Sequence, residues 1–234
     1  MLAGSRTILF RLPLLFHNAT LAFPRQGVTM SLVEVLRKKA PGVPTTLYEA
    51  KDFADAMQYA VDVTLKKRAC EMLMPVAGEQ YGPESENGIP TQLVRKIAVP
   101  GLNDEEFAAL EAKAEGTGIQ LLRSDLRSYL GGFDTSITWA DALVVDSVTC
   151  IVNSNSEEVR LGSMIAELSI MLVKKSTLID RLESAAPLMV DLMTRGGASY
   201  TAMITGPSRT ADIERVGALG VHGPLELHIV LLED

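Results

Sequence analysis

The sequence predicts an α/β protein with a mainly parallel sheet and flanking helices. Three observations carry this. From Val94 to Leu122 a strand-like run, an amphipathic run and a second apolar run follow one another within about 30 residues, the length of a βαβ crossover, which joins parallel strands. Val148 to Val152, Leu168 to Val173, Tyr200 to Thr205 and Leu225 to Leu232 are apolar and rich in β-branched residues, as buried strands are. Finally, 47% apolar and 22% charged residues in a chain of 234 supply a sizeable core. One domain over residues 31–234 is expected, with no repeat of solenoid period.

The first 30 residues read as a leader. There is no acidic residue before Glu34, and Arg11 and Pro13 break the apolar run from Ile8 to Phe16. That run falls short of the roughly 20 residues of a membrane span and lacks an unbroken secretory core. An Arg-containing, acid-free composition also marks transit segments, but a disordered tail or an upstream start codon ahead of Met30-Ser31 is the stronger reading.

Leu32 to Arg37 opens the domain as a short amphipathic segment. After Pro41-Gly42 and Pro44, Asp52 to Met74 reads as one long helix, with Phe53, Met57, Ala60 and Thr64 on its apolar face. The dense Gly and Pro between Pro75 and Pro90 predict a loop. Val94 to Val99 is strand-like and ends at Pro100-Gly101. Asn103 then caps a helix opening with Asp104, Glu105 and Glu106, acids that suit the positive end of the helix dipole. Phe107, Leu110 and Ala114 face inward, and Gly116 and Gly118 close the helix before the strand Ile119 to Leu122. Asp141 to Val145 reads as a helical turn and Asn153 to Ser156 as a polar turn. Ser176 is expected to cap a helix bearing Ile179, Leu182, Met189 and Met193, divided at Pro187 and ended by Gly196-Gly197.

Several function classes are disfavoured. Lys and Arg number 22 against 29 Asp and Glu, a net charge of −7, which is no footprint for phosphate backbones, so nucleic acid is not an expected partner. Cys70 and Cys150 are far apart and match no disulfide framework, zinc spacing or cluster spacing. The chain is therefore expected to carry no metal or cofactor of its own and to reside in a reducing compartment, the cytoplasm. No Gly-x-Gly-x-x-Gly fingerprint or P-loop is present either.

The stretch from Thr205 through Glu214, with Gly220 to Pro224, is the most informative. Gly206 and Pro207 make a tight turn, and Ser208 or Thr210 can cap a following helix whose exposed N–H groups form an anion site. A ligand is expected there because open parallel sheets bind ligands at the carboxyl ends of their strands. Asp212 and Glu214 fall in the first turn of that expected helix, and His222 follows in the Gly-Val-His-Gly-Pro turn. These three are the candidate acid–base groups, set against well-capped turns with no ligand. Arg160 and Arg209 are candidate grips for a carboxylate, each equally able to form a surface ion pair. Ser85-Glu86-Asn87-Gly88 contains a carboxylate of the kind that serves as a nucleophile, but it lies in a Gly/Pro-rich loop rather than after a strand. His228, alternating with apolar residues on the last strand, and Trp139 read as packing residues.

The run Thr205-Gly-Pro-Ser-Arg-Thr-Ala-Asp-Ile-Glu214, followed by Gly220-Val-His-Gly-Pro224, resembles the signature of the protein C branch of the lactate-utilisation (LUD-domain) family. Weaker similarity extends upstream to about Asp52. The stretch from Glu158 to Lys175, with Arg160 and Ser163-Met164-Ile165, is similar to a family segment in which an Arg precedes a strand. The resemblance implies a sheet-and-helix fold similar to the sugar-phosphate isomerase and CoA-transferase group. It also implies a role beside two other proteins, one with iron–sulfur clusters, in oxidising lactate to pyruvate. One departure stands out: where the family commonly has Ala-Glu-Thr-Gly, this chain has Val145-Asp146-Ser147-Val148. If the glycine admits a ligand to the backbone, Val148 narrows that approach.

Two functions follow as expectations. One is an accessory, non-redox subunit of a lactate-oxidising system, with a small carboxylate or phosphate as ligand. The alternative is an enzyme of the isomerase or CoA-transferase-like fold acting on a small phosphorylated or CoA-linked acid.

Overall fold

The computed structural model describes residues 30–72, 80–129, 131–197, 199–210, 218–219 and 223–234. Their elements follow in the order α1 (Leu32–Lys39), β1 (Thr46–Glu49), α2 (Phe53–Lys66), β2 (Tyr81–Glu84), β3 (Pro90–Gln92), β4 (Lys96–Ala98), α3 (Asp104–Ala114), β5 (Gln120–Leu122), β6 (Thr135–Trp139), β7 (Ala142–Val144) and β8 (Thr149–Asn153). After these come α4 (Glu157–Ile165), β9 (Leu168–Lys174), β10 (Leu178–Ile179), α5 (Ala186–Thr194), β11 (Thr201–Thr205), β12 (Arg209–Thr210), β13 (Ala218–Leu219) and β14 (Glu226–Leu232).

The fold is α/β. A six-stranded sheet of order β1-β14-β9-β6-β4-β5 is parallel at every pairing. A second sheet, β10-β7-β8-β11, is antiparallel except where β10 joins β7. Alternation along the strands fixes the layers. Leu168, Ile170 and Leu172 of β9 pack with Met57, Ala60 and Val61 of α2 and Leu110 of α3. The intervening Met171 and Val173 face Leu143, Val148, Cys150 and Val152 on the second sheet. Ile151 turns to the far side of that sheet, against Leu192 of α5. Helices, parallel sheet, second sheet and a further helix thus stack as four layers, and the central strands β9 and β14 are apolar on both faces because both are covered.

The βαβ unit forms as expected: β4 and β5 are parallel, and Asn103 caps α3 in a reciprocal box with Glu106. Elsewhere the boundaries move. α2 stops at Lys66 instead of continuing to Met74, because Arg95 donates to the carbonyls of Thr64 and Lys67 at 2.7 and 2.6 Å and so terminates the helix. The expected loop to Pro90 contains the β2–β3 hairpin. The segment after Asp141 is not a helical turn but β7, since its backbone pairs with β8 and the Asp141 carboxylate accepts the Asn153 N–H at 2.5 Å. Ile179 lies in β10, not in a helix capped by Ser176. Pro187 sits in the first turn of α5, where a missing N–H costs nothing, so it starts a helix rather than dividing one.

Candidate functional site

The signature segment begins on β11, and its surroundings are those of the second sheet. Thr205 is the last residue of an antiparallel strand paired to Thr149 of β8. The expected placement at the carboxyl end of a parallel strand is therefore corrected. Gly206 then turns the chain with φ +69°, and a Cβ there would lie 3.1 Å from Val43 Cγ1, so both conformation and space call for glycine.

No helix begins at Ser208. Its N–H donates to the Pro224 carbonyl at 2.8 Å, and Arg209–Thr210 continue as the short strand β12, paired antiparallel to β13. With that N–H satisfied by a carbonyl and Arg209–Thr210 extended, Ser208 is not a helix cap and no anion site made of helix N–H groups is formed at it; the residues that follow Thr210 lie outside the described ones. Asp212, Glu214 and His222 lie outside the described residues, as does the side chain of Thr210.

The structure does gather several predicted groups around one cleft of about 420 Å³. β11 with Gly206, Pro207 and Ser208 forms one wall, Arg160, Ser163 and Met164 of α4 another, and Gly223 and Pro224 close the end. Arg160 is fixed in place. Its Nη1 donates to the carbonyls of Ser154 and Asn155 at 2.6 and 2.9 Å, and its guanidinium lies 4.9 Å from the centre of the Tyr200 ring. Tyr200 is held in turn by the Asn155 side chain, which accepts the Tyr200 N–H at 2.6 Å. Among the described residues no carboxylate lies within ion-pair reach of Arg160, and its Nε and Nη2 have no partner, so the surface ion pair weighed for it is not formed there. Among the described residues, Arg160 is also the one charged residue lining the cleft. A stacked guanidinium with donors to spare is suited to a planar carboxylate. Arg209 does not join it; it is exposed and borders a separate cavity of about 230 Å³ with Thr46, Glu226 and His228.

Other groups escape sequence reading. The β8–β11 pairing sets the Val145 to Val148 segment beside Thr205, and a hydroxyl chain runs from Ser147 Oγ to Thr149 Oγ1 to Thr205 Oγ1, each step 2.7 Å. Val148 has φ +53° and is 1% exposed, its side chain packed in the core between the sheets. The backbone conformation itself therefore accounts for a glycine at this position, and the valine faces core rather than cleft.

Lys67 turns inward, its Nζ 2.8 Å from Glu167 Oε2 and 3.3 Å from the fully buried Asp134. Burial opposes its charge, but Cys70, Glu167 and Asp134 together raise its pKa. His228 is 93% shielded; its Nδ1 meets the Tyr59 hydroxyl at 2.9 Å and its Nε2 lies 3.3 Å from Glu226. Burial lowers its pKa against the opposing pull of Glu226. Glu86 sits on the exposed β2–β3 hairpin and pairs with Arg68 at 2.9 Å. Trp139 packs against the helix-side core and donates to Glu106 at 3.1 Å.

The four layers and the Arg160 cleft define an α/β domain in which this cleft lies between α4 and the β11 edge of the second sheet rather than on the parallel one. The LUD-domain family model matches residues 33–232, and the chain belongs to that family. It is 32% identical over 103 residues to "Lactate utilization protein C" of Geobacillus kaustophilus, a stretch covering 43% of each chain. It is also 32% identical over 143 residues to the protein of that name from Macrococcus caseolyticus, covering 56% of this chain and 60% of that one. The matched stretch thus spans less than two thirds of either relative. A crystal structure of a DUF162 family protein from Deinococcus radiodurans shares the fold, with a TM-score of 0.52 at 15% identity over 87% of this chain and 99% of that one. Among the described residues no helix is long and apolar enough to cross a membrane.

Proposed function

We propose that this chain acts in lactate utilisation as an accessory, non-redox subunit of a system that oxidises lactate to pyruvate, alongside iron–sulfur partner proteins in the cytoplasm. Its relatives' names support the process, and the Arg160 cleft carries the reading of this chain's part in it. A guanidinium held by two carbonyls and a tyrosine ring, facing a cleft with no carboxylate among its described lining residues, is prepared for the carboxylate that lactate and pyruvate share. Ser208 and the Gly206 turn lie on the same cleft and add polar groups beside it. In this role the electron pair of the oxidation passes to the iron–sulfur partner, while this chain binds and presents the acid.

The test is calorimetric titration with lactate, pyruvate and inorganic phosphate, beside Arg160→Gln. Saturable binding of the two acids, weakened at least about tenfold by the substitution, is expected from the loss of a charge-assisted bidentate contact. Equal binding by the variant removes Arg160 from the site. Turnover of an acyl-CoA or a sugar phosphate by the isolated chain would make it an enzyme instead. A tagged chain should also retain an iron–sulfur protein from its native extract.

A further inference from the structure

Among the described residues, β11 is an edge strand of the second sheet, on the side of the cleft. Ser154 N–H donates to the Tyr200 carbonyl at 2.9 Å, which makes residues 154 and 200 a hydrogen-bonded pair. Such pairs alternate along an antiparallel ladder, so Ala202 and Ile204 bond to β8 while the N–H and C=O groups of Thr201, Met203 and Thr205 point away from it. Among the described residues no strand pairs with β11 on that side. Nor does the strand carry the usual protection: Thr-Ala-Met-Ile-Thr has no lysine, no proline and no charge. Apolar side chains border this edge, with Tyr200 58%, Met164 59% and Met203 45% exposed.

We propose that the groove between β11 and α4 receives the extended C-terminal tail of a partner polypeptide, added antiparallel to β11 with its terminal carboxylate on Arg160. The direction follows from the geometry. A strand antiparallel to β11 runs from Thr205 toward Thr201, so its C-terminus arrives beside Tyr200, where the Arg160 guanidinium lies 4.9 Å from the ring. Charge complementarity selects the occupant. Among the described residues Arg160 is the one charged residue lining the groove, which favours a chain that ends in a carboxylate and disfavours a basic segment. Backbone bonds to Thr201, Met203 and Thr205 supply affinity, and Tyr200, Met164 and Met203 meet apolar side chains of the tail. About five residues, roughly 17 Å of extended chain, span the strand. This inference rests on the reading of Arg160 as the carboxylate-binding group and names a partner's terminus as one source of that carboxylate.

The probe is a fluorescein-labelled five-residue peptide of alternating threonine and valine with a free C-terminal carboxylate. It is compared by polarisation with the amidated peptide and with one N-methylated at alternate residues, while lactate is titrated separately. The free acid should bind saturably and the amide at least about tenfold more weakly, a difference that Arg160→Gln erases. The N-methylated peptide should not bind, because its bonds to the edge are blocked. Met203→Pro removes an outward N–H at an edge position that tolerates proline, and should weaken the free acid about tenfold or more. If the variant misfolds, the N-methylated peptide on the wild-type chain decides the point. Equal binding of acid and amide, or no peptide binding while lactate still binds, overturns the proposal and leaves a small-anion site. Failure of both lactate and peptide removes the carboxylate site altogether. A dimer that Met203→Pro dissociates would assign the edge to a second copy and also overturn it.

Discussion

Val148 offers a sharp test of how backbone conformation and packing oppose each other at one residue. With φ +53°, a β-branched side chain sits in the left-handed region, at about 1–3 kcal/mol of strain. Yet the side chain is 1% exposed, and burying a valine contributes about 1.5–3 kcal/mol. Val148→Ala removes two carbon atoms from the core and keeps most of the strain, so it should destabilise by about 2 kcal/mol. Val148→Gly removes one carbon more, about 0.8 kcal/mol, and pays glycine's entropy of roughly 0.5–1 kcal/mol, but releases the strain. The glycine variant should therefore be at least as stable as the alanine variant. Val152 is the internal control: it is equally buried, at 1% exposure, in the same core, but it lies within β8. There Val152→Gly should fall below Val152→Ala by roughly 1 kcal/mol or more, since no strain is released. Urea denaturation of the four variants, read as midpoints at unchanged slope, measures both differences. The reasoning fails if glycine is worse than alanine by the same margin at both positions.

The buried charges make further predictions. Asp134→Leu should cost about 3–5 kcal/mol, because it strips Lys67 of one carboxylate and leaves the N–H groups of Cys70 and Lys96 without their acceptor; chemical denaturation reads this directly. The folded His228 pKa lies below its ordinary value near 6.5, so the unfolded chain binds more protons between the two. Its contribution is thus full above about 6.5 and is lost as pH falls toward the folded value, and His228→Gln should flatten the fall in melting temperature between pH 7.5 and 5.5. Burial pushes the Cys150 thiol up to about 12 and raises that of Cys70 as well, so neither should react with a thiol reagent at pH 8 until the chain is unfolded.

What the sequence makes legible is local periodicity, and the structure shows where that ends. β9 and β14 read clearly as strands because both faces are covered and nearly every residue is apolar. α3 read almost to the residue, because its cap and first-turn acids are contacts within the same few residues. β7 and β10, at three and two residues, are strands by virtue of their long-range partners, and Asp141 to Val145 carries no periodicity long enough to reveal them. The end of α2 is likewise set from a distance, by Arg95, far along the chain. The same distinction runs through the site. Gly206 was legible because a Gly-Pro turn is a local instruction, whereas the extended backbone at Ser208 depends on Pro224 and on β13.

The link between the two signature segments is long-range too, and it alters what each can mean. Read singly, Val145 to Val148 is a turn and Thr205-Gly206 another. The antiparallel register puts Thr149 opposite Thr205, so the turn before β8 and the turn after β11 lie at the same end of the second sheet, joined by hydroxyls 2.7 Å apart. Gly206 is packed beneath Val43 on one side, and Val148 is sealed into the core on the other. This end of the sheet is therefore fixed by packing, while the opposite end of β11 carries Tyr200 and the donors of Arg160. A ligand that needs both ends must lie along β11, within the cleft that borders it. One confined to Arg160 needs only the Tyr200 end, and substitutions at Ser147 or Thr149 would leave its affinity unchanged while altering the stability of the sheet.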